Sequence, residues 1–180
     1  MTVSPAAGIP AASGNQGLSV TGTGTHYVTD NTPVGETGYH ARFQLSPNTF
    51  TSGTATAVTV FSARSNLADV ATVDYRKNGG NNQVRVVMAR SGAAAVQGAW
   101  QTLATGSHEI RIDWVSGPAT GTAAGSLKLS IDSTAKQTLT GNTSTLRVES
   151  ARLGLVAGTN NTSTGTAYID SFESTRNTLP

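Results

Sequence analysis

Residues 109–114 read Glu-Ile-Arg-Ile-Asp-Trp, and residues 127–132 read Leu-Lys-Leu-Ser-Ile-Asp. Both stretches alternate apolar and polar side chains with the two-residue period of a β-strand, in which successive side chains point to opposite faces. In the first stretch Ile110, Ile112 and Trp114 share the apolar face. A shift of one residue would carry charge into the core, so the register is strongly fixed. Strands with one buried and one solvated face are typical of antiparallel sheets.

The same alternation recurs in residues 39–45 and 151–157, and turn residues separate such segments from Leu18 onward. Residues 72–88 contain two such segments around Asn78-Gly79, a strong hairpin signal. No segment keeps the i, i+3, i+4, i+7 spacing of a helix over three turns. We therefore predict an all-β fold, an antiparallel two-sheet β-sandwich with about 11–12 strands and no long helix.

The first 17 residues differ in composition from the rest of the chain. Residues 2–17 contain two prolines and three glycines, and their only sizeable apolar side chains are Val3 and Ile9. Such a composition is typical of linkers. We predict that residues 1–17 form a flexible or extended N-terminal arm and that residues 18–180 form the β-sandwich domain.

Few side chains carry charge, and this composition indicates where in or outside the cell the protein is found. Only 12% of residues are charged, against the usual quarter, and Thr and Ser make up about a quarter of the chain. Hydroxyl-rich surfaces of this kind are common in secreted microbial proteins, so we expect a secreted or cell-surface protein of bacterial type whose signal peptide is absent from this sequence. No apolar run approaches the roughly 18 residues that a membrane-spanning helix needs, so we expect no membrane insertion.

The basic residues do not form a nucleic-acid site. The formal net charge is +2, but the arginines are spaced along the chain and no run of Lys or Arg occurs, which argues against nucleic acid as a partner. The chain contains no cysteine, which excludes disulfides and thiolate metal sites.

Several strand motifs together carry a resemblance to a known family. They are the strand that ends in Asp113-Trp114, the turn and strand of residues 125–132, the Leu-Gly strand within residues 148–158 and the closing strand of residues 166–172. This pattern resembles concanavalin A-like (laminin-G-like) lectin and glucanase domains, especially modules of secreted bacterial proteins. The resemblance covers about residues 18–176. It implies a jelly roll whose first and last strands are adjacent, and it supplies no ligand.

The glucanases of this superfamily resemble one another in a strand that carries three acidic residues, and this signature is missing here. The nearest match is Glu109 to Asp113, in which Arg111 occupies the middle position. Glu109 and Asp113 would lie roughly 13 Å apart along a strand, whereas retaining hydrolysis needs carboxylates about 5 Å apart. We predict that the protein is not an enzyme.

The resemblance also suggests one cofactor, a structural calcium ion. It would bring together the first and last strands near Asp30, Asn31 and Asp170, whose side chains carry the oxygen ligands that calcium prefers. The alternative is that Asp30 to Pro33 form a simple turn and that Asp170 is a buried hydrogen-bond acceptor. The sequence suggests no other cofactor.

Carbohydrate binding requires aromatic rings and planar polar groups on an exposed sheet face. The candidate ligand-binding residues are Trp100, Tyr75, Arg64, Arg76 and Arg85. Tyr75 shares a strand face with Val73, which favours packing over ligand contact, and packing is the alternative for each of the others as well.

Two functions follow from these observations. The first is a non-catalytic extracellular carbohydrate-binding or adhesion module, whose partner is a glycan or a cell-surface polymer. The second is a structural subunit of an extracellular bacterial assembly such as a fibre, sheath or layer. In that case residues 2–17 would act as an interaction arm on the sheet edge of a neighbouring copy and form a homo-oligomer.

Overall fold

A computed structural model describes residues 2–4, 17–53, 56–66, 68–118 and 124–176, and for residues 2–4 it describes the backbone. These residues form fourteen strands and no helix, so the predicted all-β class is confirmed. None of them belongs to a helix that is long and apolar enough to span a membrane. The strands are β1 Thr2–Ser4, β2 Gly17–Thr21, β3 His26–Asp30, β4 Gly38–Ser46, β5 Val58–Ser65, β6 Ala68–Asn78, β7 Asn81–Arg90, β8 Ala93–Gln97, β9 Gln101–Leu103, β10 His108–Val115, β11 Gly125–Ile131, β12 Thr134–Gly141, β13 Ser150–Ala157 and β14 Thr166–Thr175.

The strands form two sheets in which neighbours run antiparallel. Sheet 1 has the order β1-β2-β14-β4-β10-β11-β12, and sheet 2 has the order β3-β13-β5-β6-β7-β8, with β9 paired to β7. The predicted two-sheet sandwich is therefore confirmed. The last strand, β14, pairs with β2, the first strand after the N-terminal arm, so the expected adjacency of first and last strands is also confirmed.

The strand number exceeds the predicted 11–12 because short strands carry no readable alternation. β1 and β9 have three residues each, and β8 is the alanine-rich segment Ala93–Gln97. β1 pairs with β2 through Thr2↔Ser19 and Ser4↔Gly17, so the start of the predicted arm adds to the edge of its own sheet. Residues 5–16 of that arm lie outside the described residues.

The hairpin predicted from residues 72–88 is formed by β6 and β7. Asn78 pairs with Asn81, and the two residues between them, Gly79 and Gly80, have φ angles of 56° and 84°. Two successive positive φ angles define the tight turn whose twist matches that of the strands, and glycine adopts them without strain.

The core lies between the sheets and is organised around one aromatic ring. Phe61 of sheet 2 is 0% exposed, and its ring stacks on Phe43 and Tyr39 of sheet 1 at centroid distances of 5.8 Å and 6.4 Å. Phe172 of β14 approaches the same ring at 6.4 Å. These contacts join the inner faces of the two sheets, and aromatic pairs of this kind stabilise beyond the burial of their area.

Replacing this ring tests the importance of the contact. We expect Phe61→Ala to lower the free energy of unfolding by about 3–5 kcal/mol, because it removes buried apolar area and leaves a cavity between the sheets. Urea unfolding followed by circular dichroism measures the change. Val34→Ala is the control, since Val34 is 85% exposed and its truncation should be nearly neutral. A loss below about 1 kcal/mol for Phe61→Ala would contradict this account of the core.

Candidate functional site: the outer face of sheet 2

The strand register determines which side chains of sheet 2 point away from the core. Thr59 of β5 pairs with Asp74 of β6, which pairs in turn with Arg85 of β7. One row further along, Arg76 pairs with Gln83. Because directly paired residues project to the same side of a sheet, these rows place polar side chains from three neighbouring strands on the solvent side, the outer face of sheet 2.

Two β-bulges add further polar side chains to this face. The register of β5 against β6 shifts at Val60 and again at Val70, where one strand carries an extra residue. A bulge reverses the side on which the following residues project. As a result Thr59 and Asp69 lie on the outer face, although strict alternation with Phe61 and Ala71 would place them in the core.

Arg85 is held at the centre of the face by two neighbours. Its Nε donates a hydrogen bond to Asp74 Oδ2 at 3.2 Å, and its Nη1 donates to Gln97 Oε1 at 2.6 Å. Asp74 is itself 7% exposed, and its Oδ1 accepts from the hydroxyls of Thr59 at 3.0 Å and Thr72 at 3.3 Å. A charge-assisted network of this kind fixes the guanidinium in one orientation.

Trp100 lies beside two arginines. The guanidinium carbon of Arg76 is 4.2 Å from the centre of the Trp100 ring, and that of Arg85 is 4.5 Å away. Both distances are within the range of a cation–π contact, for which tryptophan is the best partner. Arg76 Nε also donates to Gln83 Oε1 at 2.8 Å. The half-buried indole therefore helps to orient two planar cations.

A groove of about 270 Å³ runs along the face next to Arg85. Its lining includes the hydroxyls of Thr59 and Thr72 and the short side chains of Ala89 and Ala95. At one end lies Asp69, which accepts hydrogen bonds from Arg64 Nη1 and Ser62 Oγ. The groove therefore combines planar, charged groups with hydroxyls, a mixture that suits a polar ligand.

The predicted ligand-binding residues fall into two groups. Trp100, Arg76 and Arg85 lie together, and Arg64 lies on the same face beside Asp69. Tyr75 does not lie on this face, since its side chain is 1% exposed. Its ring packs against that of Phe50 at a centroid distance of 5.7 Å, and its hydroxyl donates a hydrogen bond to the Phe50 carbonyl oxygen. Burial raises the pKa of Tyr75 to about 12. Its inclusion among the ligand-binding residues is corrected, because β6 turns it toward the core.

Sequence analysis did not single out several residues of this face. Asp74 alternates with Arg76 along β6 and could have been found from that alternation. Gln97 and Asp69 could not, because β8 shows no alternation and Asp69 depends on a bulge. A further pair lies at the far side of the sheet, where the Arg152 guanidinium is 4.6 Å from the Tyr27 ring centre.

The two aspartates considered for calcium accept hydrogen bonds from protein groups. Asp30 Oδ1 accepts from the backbone amide of Thr32 at 2.9 Å and from its hydroxyl at 2.7 Å, and Oδ2 accepts from Ser174 at 3.2 Å. These hydrogen bonds close a turn at Asp30. Asp170 Oδ1 accepts from the Ser171 amide, while its Oδ2 is buried without a partner. Asn31 lies in the turn and is exposed. In the described part of the chain no three His, Cys, Asp or Glu side chains group as a metal site requires.

The outer face of sheet 1 carries the charged residues of β10. Asp113 accepts hydrogen bonds from Arg111 Nε at 3.2 Å and contacts His40 Nδ1 at 2.8 Å. Glu109 lies 3.9 Å from Arg42. The acids of this strand therefore alternate with cations on β10 and on its neighbour β4, as expected of a charge ladder.

Comparisons with known proteins identify the fold. No protein-family model matches the sequence, and no curated protein matches it. Among solved structures, the chain is similar to the receptor-binding domain of botulinum neurotoxin type G, with a TM-score of 0.59 and 12% identity over 89% of this chain. It is also similar to alginate lyase vAL-1 from Chlorella virus, with a TM-score of 0.58 and 10% identity over 93% of this chain and 87% of that one. For the alginate lyase from Alteromonas sp. 272 the TM-score is 0.52 and the identity 13%, over 97% and 92% of the two chains.

These similarities show the fold alone. The chain spans 39% of the neurotoxin chain and 59% of the alginate lyase from Klebsiella pneumoniae. The neighbours have concanavalin A-like jelly-roll folds, which confirms the fold that the resemblance implied. The same fold carries receptor-binding domains and alginate lyases, and a shared fold does not by itself confer a function.

The Asp30 turn makes a pH-dependent contribution to stability. Burial alone would raise the pKa of Asp30, but hydrogen bonds from Thr32 and Ser174 and the charge of Arg176 outweigh it and lower the pKa below 3.8. A carboxyl with a lowered pKa in the folded state stabilises the protein above its unfolded pKa, and this stabilisation is lost as the pH falls through the folded pKa. We expect Asp30→Asn to lower Tm at neutral pH and the difference from wild type to shrink below pH 3.8. A difference that is the same at both pH values would contradict this.

Proposed function

We propose that the protein is a non-catalytic, extracellular module that binds carbohydrate through the outer face of sheet 2. The observation that carries this proposal is the association of Trp100 with the guanidinium groups of Arg76 and Arg85 beside a groove lined by hydroxyls. Sugars are bound by aromatic rings and by planar polar groups that hydrogen-bond to hydroxyls. The low charge and the hydroxyl-rich composition support an extracellular location.

The contacts of the acidic side chains support a binding role over a catalytic one. On the outer face of sheet 2, Asp69 accepts from Arg64 and Ser62, and Asp74 accepts from Arg85 and two threonines. Both carboxylates therefore serve to hold cations in place. Alginate lyases share the fold, so incubation with alginate is the direct test of this part. We expect no ultraviolet absorbance from an unsaturated uronate product.

The first strand favours this function over a subunit of an extracellular assembly. That alternative requires the N-terminal arm to pair with the sheet of a neighbouring copy. Thr2–Ser4 instead pairs with β2 of the same chain, so these three residues of the arm are engaged within their own sheet.

A glycan array, followed by calorimetric titration with the best ligand, tests the proposed function. We expect Trp100→Ala to weaken binding at least tenfold, because the change removes the ring beside which both arginines are oriented. Tyr168→Ala is the matched control, since Tyr168 is a half-buried aromatic residue of sheet 1. Equal binding by wild type and Trp100→Ala, with the fold intact by circular dichroism, would exclude this face as the binding site.

A further inference from the structure

The two outer faces of the sandwich differ in charge. The strands of sheet 2 place four arginines and two aspartates on their outer face, namely Arg64, Arg76, Arg85, Arg152, Asp69 and Asp74. On the outer face of sheet 1 the register aligns three basic and four acidic residues, namely Arg42, Arg111, Lys128, Glu109, Asp113, Asp170 and Glu173. Among these paired residues, basic side chains outnumber acidic ones on the face of sheet 2 but not on that of sheet 1, so the face of sheet 2 is the better candidate for an anionic ligand.

Among the described residues, two of the four arginines have no carboxylate partner. Arg64 pairs with Asp69, and Arg85 pairs with Asp74. Among the described residues, by contrast, Arg76 contacts Gln83 and Trp100 and pairs with no carboxylate. The Nε of Arg76 donates to Gln83. Its two Nη groups have no hydrogen-bond acceptor among the described residues, and they have the fork geometry that binds a carboxylate.

Arg152 has the same kind of environment as Arg76. Its guanidinium lies over the ring of Tyr27, its buried Nε has no hydrogen-bond partner, and no carboxylate of the described residues pairs with it. An arginine held against an aromatic ring is pre-organised, so it loses less freedom when it binds an anion. Arg76 and Arg152 are therefore both oriented by an aromatic ring and both able to bind an anion.

The positions of Arg76 and Arg152 define a path across the face. Arg152 pairs with Ser62, which pairs with Thr72, and Arg76 lies four residues beyond Thr72 on β6. Strand spacing and rise then put the two arginine Cα atoms roughly 16 Å apart. The hydroxyl of Thr59 projects between them on β5. A linear ligand with regularly spaced acid groups can contact both arginines and this hydroxyl.

We propose that the ligand of this face is an acidic polysaccharide, whose carboxylate or sulfate groups bind Arg76 and Arg152 at opposite ends of a path across sheet 2. This inference rests on the proposed carbohydrate-binding function and specifies the class of ligand. In this proposal Arg85 and Arg64 have a structural role. Each is already paired with an aspartate, and each pair fixes the positions of side chains on the face.

Titration calorimetry with polygalacturonate, dextran sulfate and neutral pullulan tests the proposal. We expect binding to at least one of the two acidic polymers and none to pullulan, with an affinity that falls as salt is added. Whichever acidic polymer binds identifies the acid group. Arg76→Gln should lower the affinity about tenfold, and the double change with Arg152→Gln should lower it further. Short oligomers that reach only one arginine should bind more weakly than long ones.

Arg42→Gln is the matched control, because it removes the same charge from the outer face of sheet 1, where Arg42 pairs with Glu173. Its affinity should equal that of wild type. An equal loss for Arg42→Gln and Arg76→Gln would overturn the proposal, since net charge alone would then explain binding. Binding of polyglutamate or of duplex DNA as tightly as the polysaccharide would also overturn the proposal. Binding of pullulan alone would overturn the acidic ligand but leave carbohydrate binding intact, whereas binding of no polysaccharide would overturn both.

Discussion

The stacking of Phe61 of sheet 2 on Tyr39 and Phe43 of sheet 1 is the contact on which the rest of the structure depends. It joins the inner faces of two sheets, in which strands such as β7 and β10 bury alternate side chains. Because the apolar side chains of these strands are engaged in the core, their register is fixed. The polar half is then displayed in defined rows, so the positions of the arginines of sheet 2 are a consequence of how the core packs.

The sequence predicted those parts of the fold that depend on residues within a single strand or hairpin. The alternation of residues 109–114 and the Asn78-Gly79 signal of the β6–β7 hairpin were both sufficient, since each reflects local geometry. The bulges at Val60 and Val70 could not be predicted, because a bulge exists only relative to the partner strand. The bulge at Val70 is the reason that Asp69 reaches the outer face of sheet 2. Of the candidate ligand-binding residues, Trp100, Arg64, Arg76 and Arg85 lie on the outer face of sheet 2, where their role stays a prediction, whereas Tyr75 belongs to the core.

Because the chain has few charged residues, the surroundings of each one can be distinguished. With only 12% of residues charged, the cations of sheet 2 divide into those that are neutralised in place and those that are not. Arg85, held by Asp74 and Gln97, supports the geometry of the face. Arg76 is held by Gln83 and an indole ring and pairs with no carboxylate among the described residues. Hydroxyl groups elsewhere keep the surface hydrated without competing ions.

The separation of each strand into an inner and an outer set of side chains has an evolutionary consequence. Substitutions on the outer face leave the contacts of Phe61 and its neighbours untouched, so affinity for a new ligand can be acquired without a penalty in folding. Selection then acts on two nearly independent halves of one chain. The same fold occurs in receptor-binding domains and lyases that are 10–13% identical to this chain, as such independence would allow.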